Sequence, residues 1–276
     1  MAQPLAPAQL ARLQPAALLA ACRAAATRPG RPALHHTRPI HTLPEPIAAA
    51  HASALVSRGD TAVLCALTLE TAVPDPAAPT AGFLVPNIDL GPMCCPRFRA
   101  GPPNDQAQIL AARLNDLLLG SRFVPLDALA IEPRKAVWVL YLDIVCLAND
   151  GNLFDAVVAA AVATLRSARI PVVAFDPDRQ KVVLAHPTAP QTVPLPTGPP
   201  LTAHTFALFD SGTTILPDPS LAEEDLAHGS LSLVLDPARN IHALSFVAPP
   251  QPDAQLPAIL DACLAIIHKN PPSPLP

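Results

Sequence analysis

Hydrophobic and polar positions alternate or recur along the chain in two similar rounds. Residues 52–68 (ASALVSRGDTAVLCALT) hold two β-rich runs around Arg58-Gly59-Asp60 and predict a hairpin. A tight turn accounts for that tripeptide better than an adhesion motif does. Residues 74–79 are a loop and 82–90 are extended. Residues 91–103 are irregular, because Pro92, Pro96, Pro102 and Pro103 forbid regular helix. Asn104 or Asp105 can cap a helix that runs to about 119, with Ile109, Leu110, Leu114, Leu117 and Leu118 on one apolar face.

Residues 135–147 (KAVWVLYLDIVCL) are too apolar for a solvated strand and fit a central one covered on both faces. Asn149-Asp150-Gly151-Asn152 is a turn. The helix at 156–166 is apolar on nearly all sides and therefore buried, and Asp155 caps it or lies in its first turn. The second round has short strands and many prolines over 172–200, then strands at 205–209 and 213–216. Glu223-Glu224-Asp225 reads as a solvated acidic turn or helix start. A hairpin of 231–236 and 241–246 follows, turning over 237–240, and a helix at 256–268 closes the chain. This is an α/β or α+β layout in two similar halves. The organisation expected is an N-terminal helix in 1–26, a first half at 27–170 and a second half at 171–276 with the last helix.

Composition narrows the classes. The 276 residues are 50% hydrophobic and 14% charged, too apolar for a disordered chain. Formal net charge is −4, so the chain as a whole carries no basic field for nucleic acid, and any such contact must be local. Prolines number 37 and glycines 10, so many turns must be set by proline's fixed φ. The apolar stretches fall short of the ~20 residues that cross a bilayer, so no membrane role is expected. Met1 to Leu43 contains no Asp or Glu and carries Arg12, Arg23, Arg28 and Arg31 among Ala and Leu. That composition suits either a transit peptide or an opening helix at about 8–25, interrupted at Pro15.

The six cysteines form no CxxC pair, and Cys65 and Cys146 lie in apolar runs as buried thiols do. A reduced intracellular compartment follows. Neither Cys94-Cys95 nor the sequence cluster His35, His36, His41 and His51 has ligand spacing, so no metal or cofactor is expected. No GxSxG elbow surrounds Ser211, and no GxxxxGK[ST] loop is present.

Five strings in order resemble one family: residues 53–67, 82–90, 97–103 (RFRAGPP), 135–156 and 206–226. Arg28-Pro29-Gly30-Arg31 matches the family's opening R-P-D-G-R with the Asp missing. Together they resemble the RNase PH-like ring subunits of the eukaryotic RNA exosome, over about residues 27–268. The resemblance implies an αβ fold of the ribosomal-protein-S5-domain-2-like kind and a six-membered ring whose pore threads single-stranded RNA. It implies as partners other RNase PH-like ring subunits, S1/KH-type cap subunits and exosome-associated ribonucleases, with residence in nucleus, nucleolus and cytoplasm. It also favours a helix over a targeting segment at the N-terminus.

Active relatives use phosphate to release nucleoside diphosphates from an RNA 3′ end. They carry a D-G-G-T-R-T-A-like stretch, whose Thr and Arg bind phosphate at a helix start, and two aspartates six positions apart. Here the stretch is Asp150-Gly151-Asn152-Leu153-Phe154-Asp155-Ala156, and the aspartate positions are Ala222 and His228. Asp218 and Glu224 share the spacing, but Asp218-Pro219 fits the preceding loop. No catalytic residue is therefore expected. The alternative is an active phosphate-dependent 3′–5′ exoribonuclease, and the residues alone support only an αβ scaffold. Arg97 and Arg99 flank Phe98, so an extended segment points both guanidiniums one way, toward RNA phosphates or a neighbouring subunit.

Overall fold

A computed structural model describes residue 10 and residues 13–176, 178, 181–184, 191–247 and 255–269. Helix α1 (Pro15–Ala24) opens it, with Pro15 in the first turn, where its missing N–H costs nothing. Leu10 and Leu13 before it are also helical and Gln14 is not, so the opening helix is interrupted ahead of Pro15 as expected and restarts there. Of the rest of the expected 8–25 helix, Ala25 is the C-cap of α1, and residues 1–9, 11 and 12 lie outside the described residues.

The first sheet has the order β1-β2-β3-β6-β4, from Ile40–Pro44, Ala52–Arg58, Thr61–Ala72, Ala136–Ala148 and Phe83–Asp89; β5 (Ala130–Glu132) also pairs with β6. β2 and β3 form the expected hairpin, with Arg58 opposite Thr61 and Gly59 at φ +57 in the turn. β4 runs parallel to β6 at the edge, and so tolerates Pro86.

β6 lies inside the sheet; its first half is covered on both faces, with Val137 and Val139 buried as well as Leu140, and its second half on one face only, so the expectation of two covered faces holds for part of the strand. Leu140, Leu142, Ile144 and Cys146 are buried. On the opposite face Tyr141 and Val145 are half-buried and Asp143 is exposed. The apolar character of that outer face is not used within this chain.

Helix α2 (Asp105–Gly120) is capped by Asn104, whose side chain accepts the Ala107 N–H at 2.8 Å. Helix α3 (Leu153–Ser167) is buried from Leu153 to Leu165. Its alanines let it lie closely between β2 and β3 of the first sheet and β11 (Thr202–Phe209) of the second. The second sheet has the order β12-β11-β13-β14, with β12 at Thr214–Pro217, β13 at Gly229–Leu235 and β14 at Ile241–Val247; the last two form the expected hairpin. Between the sheets in sequence, β7 (Arg169–Pro171), β8 (Val173–Asp176), β9 (Lys181–Leu184) and β10 (Thr192–Pro194) make two small ribbons.

Helix α5 (Gln255–Lys269) covers the far face of the second sheet, where Ile259 and Cys263 meet Phe206, Leu208, Leu231 and Leu233. The layers thus run sheet, helices, sheet, helix. α1 packs Leu19 against Phe209 and Leu216.

All six cysteines are free, and burial pushes the Cys65 and Cys263 thiols up to about 12, where they are inert. Among the described residues no three His, Cys, Asp or Glu side chains converge as a metal site requires, and no helix is long and apolar enough to cross a membrane.

Leu142→Ala should expose how much the central strand contributes. Its side chain is fully buried against α3's layer. The truncation should cost about 2–5 kcal/mol, read as a lower denaturant midpoint with unchanged slope.

Candidate functional site

The site forms where the loop between β6 and α3 meets the segment between β12 and α4 (Leu221–Leu226). Gly151 sits at φ +81, and a Cβ there would lie 2.4 Å from the Leu221 backbone nitrogen. Only glycine lets the two segments touch, and Leu221 N–H donates to the Asp150 carbonyl at 3.1 Å.

Four arginines clamp this meeting point. Arg38 donates from Nε and Nη2 to the two Asp218 oxygens at 3.0 and 2.9 Å, and from Nη1 to Asp150 at 3.0 Å. Arg28 donates to Glu223 through Nε and Nη2 and to the Pro217 carbonyl. Arg31 lies 3.3 Å from Asp218. Arg58 donates to Asp155 at 2.7 Å, and Asp155 also accepts the Thr205 N–H and hydroxyl. Asn152 adds its amide to Asp218 at 2.8 Å. Burial alone would raise the Asp218 and Glu223 carboxyls; the arginines outweigh it and hold both below the ordinary range.

Glu223 is therefore a buried ion-pair partner, which corrects the reading of 223–225 as a solvated acidic turn. Glu224 and Asp225 do lie outward. The helix start was correctly anticipated, with Ser220 and Glu223 forming a reciprocal cap. Asp155 lies in the first turn of α3 and does not cap it; Asn152 holds the capping position at φ +53.

Leu153 and Phe154, which the resemblance sets at the Thr and Arg places of a phosphate-binding stretch, are buried among the core side chains. The backbone N–H of Asn152 donates to the Glu224 carboxylate at 2.7 Å. Loss of water around that carboxylate, where it turns across to Asn152, and then the Asp155 charge push it up to about 7, against the Asn152 hydrogen bond. The groove here, about 370 Å³, is lined by Gln106, Arg113, Phe154, Glu224, His228 and Ser230 among others. Ala222 and His228 are exposed, and His228 meets Phe209 edge to face.

Arg97 and Arg99 are both exposed, and Phe98 packs against the core between them, as the alternation implied. Arg97 pairs with Asp225 across the two halves, at 2.8 Å from Nη1. Arg99 shares with it a shallow depression that reaches Gln106.

A family model described as the 3′ exoribonuclease family, domain 1, matches residues 36–171. The exosome complex component rrp43 of Schizosaccharomyces pombe is 35% identical over 195 residues, 71% of this chain and 70% of that protein. The chain belongs to the RNase PH-like family of exosome components. Rrp42 of Pyrococcus abyssi, another exosome complex component, is 34% identical over 75% of this chain and 73% of its own length. A chain of the Archaeoglobus fulgidus exosome, solved with RNA bound to the active site, superimposes with TM-score 0.76 at 26% identity, covering 90% of this chain and 91% of that one. The RNase PH-like fold expected from the sequence is the fold observed.

Within this RNase PH-like frame, sequence reasoning missed the buried clamp. Arg28 appeared only as part of a motif, Arg58 only as part of a turn, and Arg38 not at all.

The clamp and Glu224 respond to pH with opposite signs. The depressed carboxyls of Asp218 and Glu223 give stability present above the ordinary carboxylate range and lost as pH falls through their native values. Glu224, raised, binds its proton more tightly folded than unfolded, so its ionisation costs stability as pH rises from about 4.5 to about 7. Glu224→Gln should therefore match the native protein near pH 4 and gain relative denaturant resistance at pH 8. Asp218→Ala, which strands buried arginines, should cost about 3–5 kcal/mol in the same measurement at neutral pH.

Proposed function

We propose that this chain is a non-catalytic structural subunit of the six-membered RNase PH-like ring of the RNA exosome. In that role it supports 3′-to-5′ RNA processing and degradation carried out by associated ribonucleases and helps RNA thread the central pore. Its partners are the other RNase PH-like ring subunits, the S1/KH-type cap subunits and single-stranded RNA, in nucleus, nucleolus and cytoplasm. The division at 27–170 and 171–276 belongs to the same reading; the first sheet draws on strands up to Ala148 and the second on strands from Thr202.

One observation carries the absence of chemistry. Phosphorolysis needs donors for an attacking phosphate at the start of α3. There, Leu153 and Phe154 have no side-chain donor, and the Asn152 N–H is taken by Glu224. Asp155 adds a buried negative charge in the first turn. Asp218 and Glu224, with the spacing of a carboxylate pair, are each engaged in holding the fold.

RNA contact falls to Arg97 and Arg99. The Arg97–Asp225 pair is exposed, and such pairs contribute about 0–1 kcal/mol. A phosphate can thus take the place of Asp225 at little cost.

The chain with its ring partners, supplied with labelled RNA, phosphate and Mg²⁺, should release no nucleoside diphosphate attributable to this subunit. Release that persists when every other ring subunit carries a disabled site would overturn the reading. In the assembled ring, Arg97→Ala with Arg99→Ala should leave assembly intact and weaken RNA binding alike across sequences. The salt dependence should flatten by about one unit of slope per lost contact. Collapse of the ring, with normal RNA binding by the survivors, would make these arginines interface residues.

A further inference from the structure

Arg113, on α2, stands apart from the other half-buried and buried arginines. The guanidiniums of Arg28, Arg31, Arg38 and Arg58 each face a carboxylate. Arg113 is half-buried and makes no hydrogen bond or ion pair with the described residues. Its guanidinium carbon lies 4.0 Å from the centroid of the Phe154 ring. Burial lowers its pKa, and only the charge of Asp155 works against that. A cation held on a ring face, partly out of water and with no carboxylate in hydrogen-bond contact among the described residues, although the charge of Asp155 acts on it and Asp116 lines the smaller opening, is available to an incoming anion.

The surroundings point to which anion. Arg113 and Phe154 line the groove of about 370 Å³ and a second opening of about 270 Å³ between α2 and the β13–β14 hairpin. The larger lies in the roughly 300–1,000 Å³ range of small-ligand sites, room for one nucleotide. Gln106 borders both this groove and the depression formed by Arg97 and Arg99. One path along the N-terminal end of α2 therefore joins three arginines, as a chain of phosphates would need. Gln106, His228 and Ser230 offer neutral polar groups on the groove wall. The opposing charge there is Glu224, already engaged with the Asn152 N–H.

We propose that Arg113, stacked on Phe154, binds a backbone phosphate of single-stranded RNA in this groove, continuing the track that begins at Arg97 and Arg99. The inference rests on the reading of the chain as an RNA-contacting ring subunit. Phe154 thus acts as the shelf that holds a guanidinium contributed by another helix.

The test uses the assembled ring carrying Arg113→Gln or Arg113→Lys in this subunit, with a fluorescein-labelled oligouridylate read by anisotropy across a salt series. Arg113→Gln should weaken binding about tenfold, the scale of one lost charged hydrogen-bonded contact. It should also flatten the salt slope by about one unit. Arg113→Lys keeps the charge, so it should keep the slope and lose part of the affinity; it also serves if the Gln variant fails to assemble. Unchanged affinity and slope in an intact Arg113→Gln ring would overturn the site while leaving the RNA reading standing. Inorganic phosphate or uridine monophosphate that displaces the RNA at concentrations near its own, in an Arg113-dependent way, would reassign the site to a free phosphate ligand and overturn the RNA assignment. A native ring that binds no oligouridylate overturns the underlying reading and this inference with it. An effect at Arg113 with none at Arg97 and Arg99 supports the site and removes the loop.

Discussion

The carboxylate of Asp218 is 2% exposed, at φ +50, between Arg38, Arg58 and Asn152. That contact fixes how the start of the central helix meets the segment after β12 of the second sheet, beside the groove. Arg38 comes from the segment before the first sheet, Asn152 from the start of the central helix, and Asp218 from the far end of the second sheet. A charge so enclosed is tolerable only when every partner is in position, because leaving one buried ion unpaired costs several kcal/mol. The clamp is therefore strong evidence for one arrangement of the halves and weak evidence for extra stability. Apolar packing of α3 between the two sheets supplies the mass of the folding energy; the clamp selects how the ends of the layers meet.

The elements with clear periodicity were legible. The β2–β3 and β13–β14 hairpins, the buried Ala-rich helix and the cap at Asn104 each follow from a local pattern that tertiary structure reinforces. The face of β6 was not legible, because an apolar residue looks the same whether it is covered or left half-open. The clamp was hidden for another reason: Arg28 and Glu223 are 195 positions apart, and nothing local marks an acid as buried. Glu223 and Glu224 are adjacent and chemically alike. Helical geometry turns one inward to Arg28 and the other across to Asn152, with opposite consequences for their protonation. For the candidate site, the Arg97-Phe98-Arg99 alternation was read correctly from spacing. Arg113 could not be found that way, since its meaning comes from a ring on another helix.

The outer face of the first sheet is the remaining large feature without a use inside the chain. Val85, Tyr141 and Thr68 lie side by side across β4, β6 and β3, and Leu64 beside Val145 extends the patch. In a chain that is half hydrophobic and only 14% charged, such a surface suits burial in a larger assembly. Membership of a family whose members are exosome components gives that surface a reason to exist.

At the start of α3, stability and binding make incompatible demands. An anion site needs backbone N–H groups left open and polar side chains facing solvent, both of which cost folding energy when nothing is bound. This chain satisfies the helix start internally. Leu153 and Phe154 bury apolar surface, at roughly 1.5–3 kcal/mol for each side chain. Glu224 takes the Asn152 N–H, and Asp155 ties the first turn to Arg58 and Thr205. These contacts support one another. Placing Thr and Arg at 153 and 154 alone would disturb the core and still leave Glu224 on the amide. The helix start is held by a set of mutually dependent contacts, so the scaffold keeps its shape without requiring any ligand at this point.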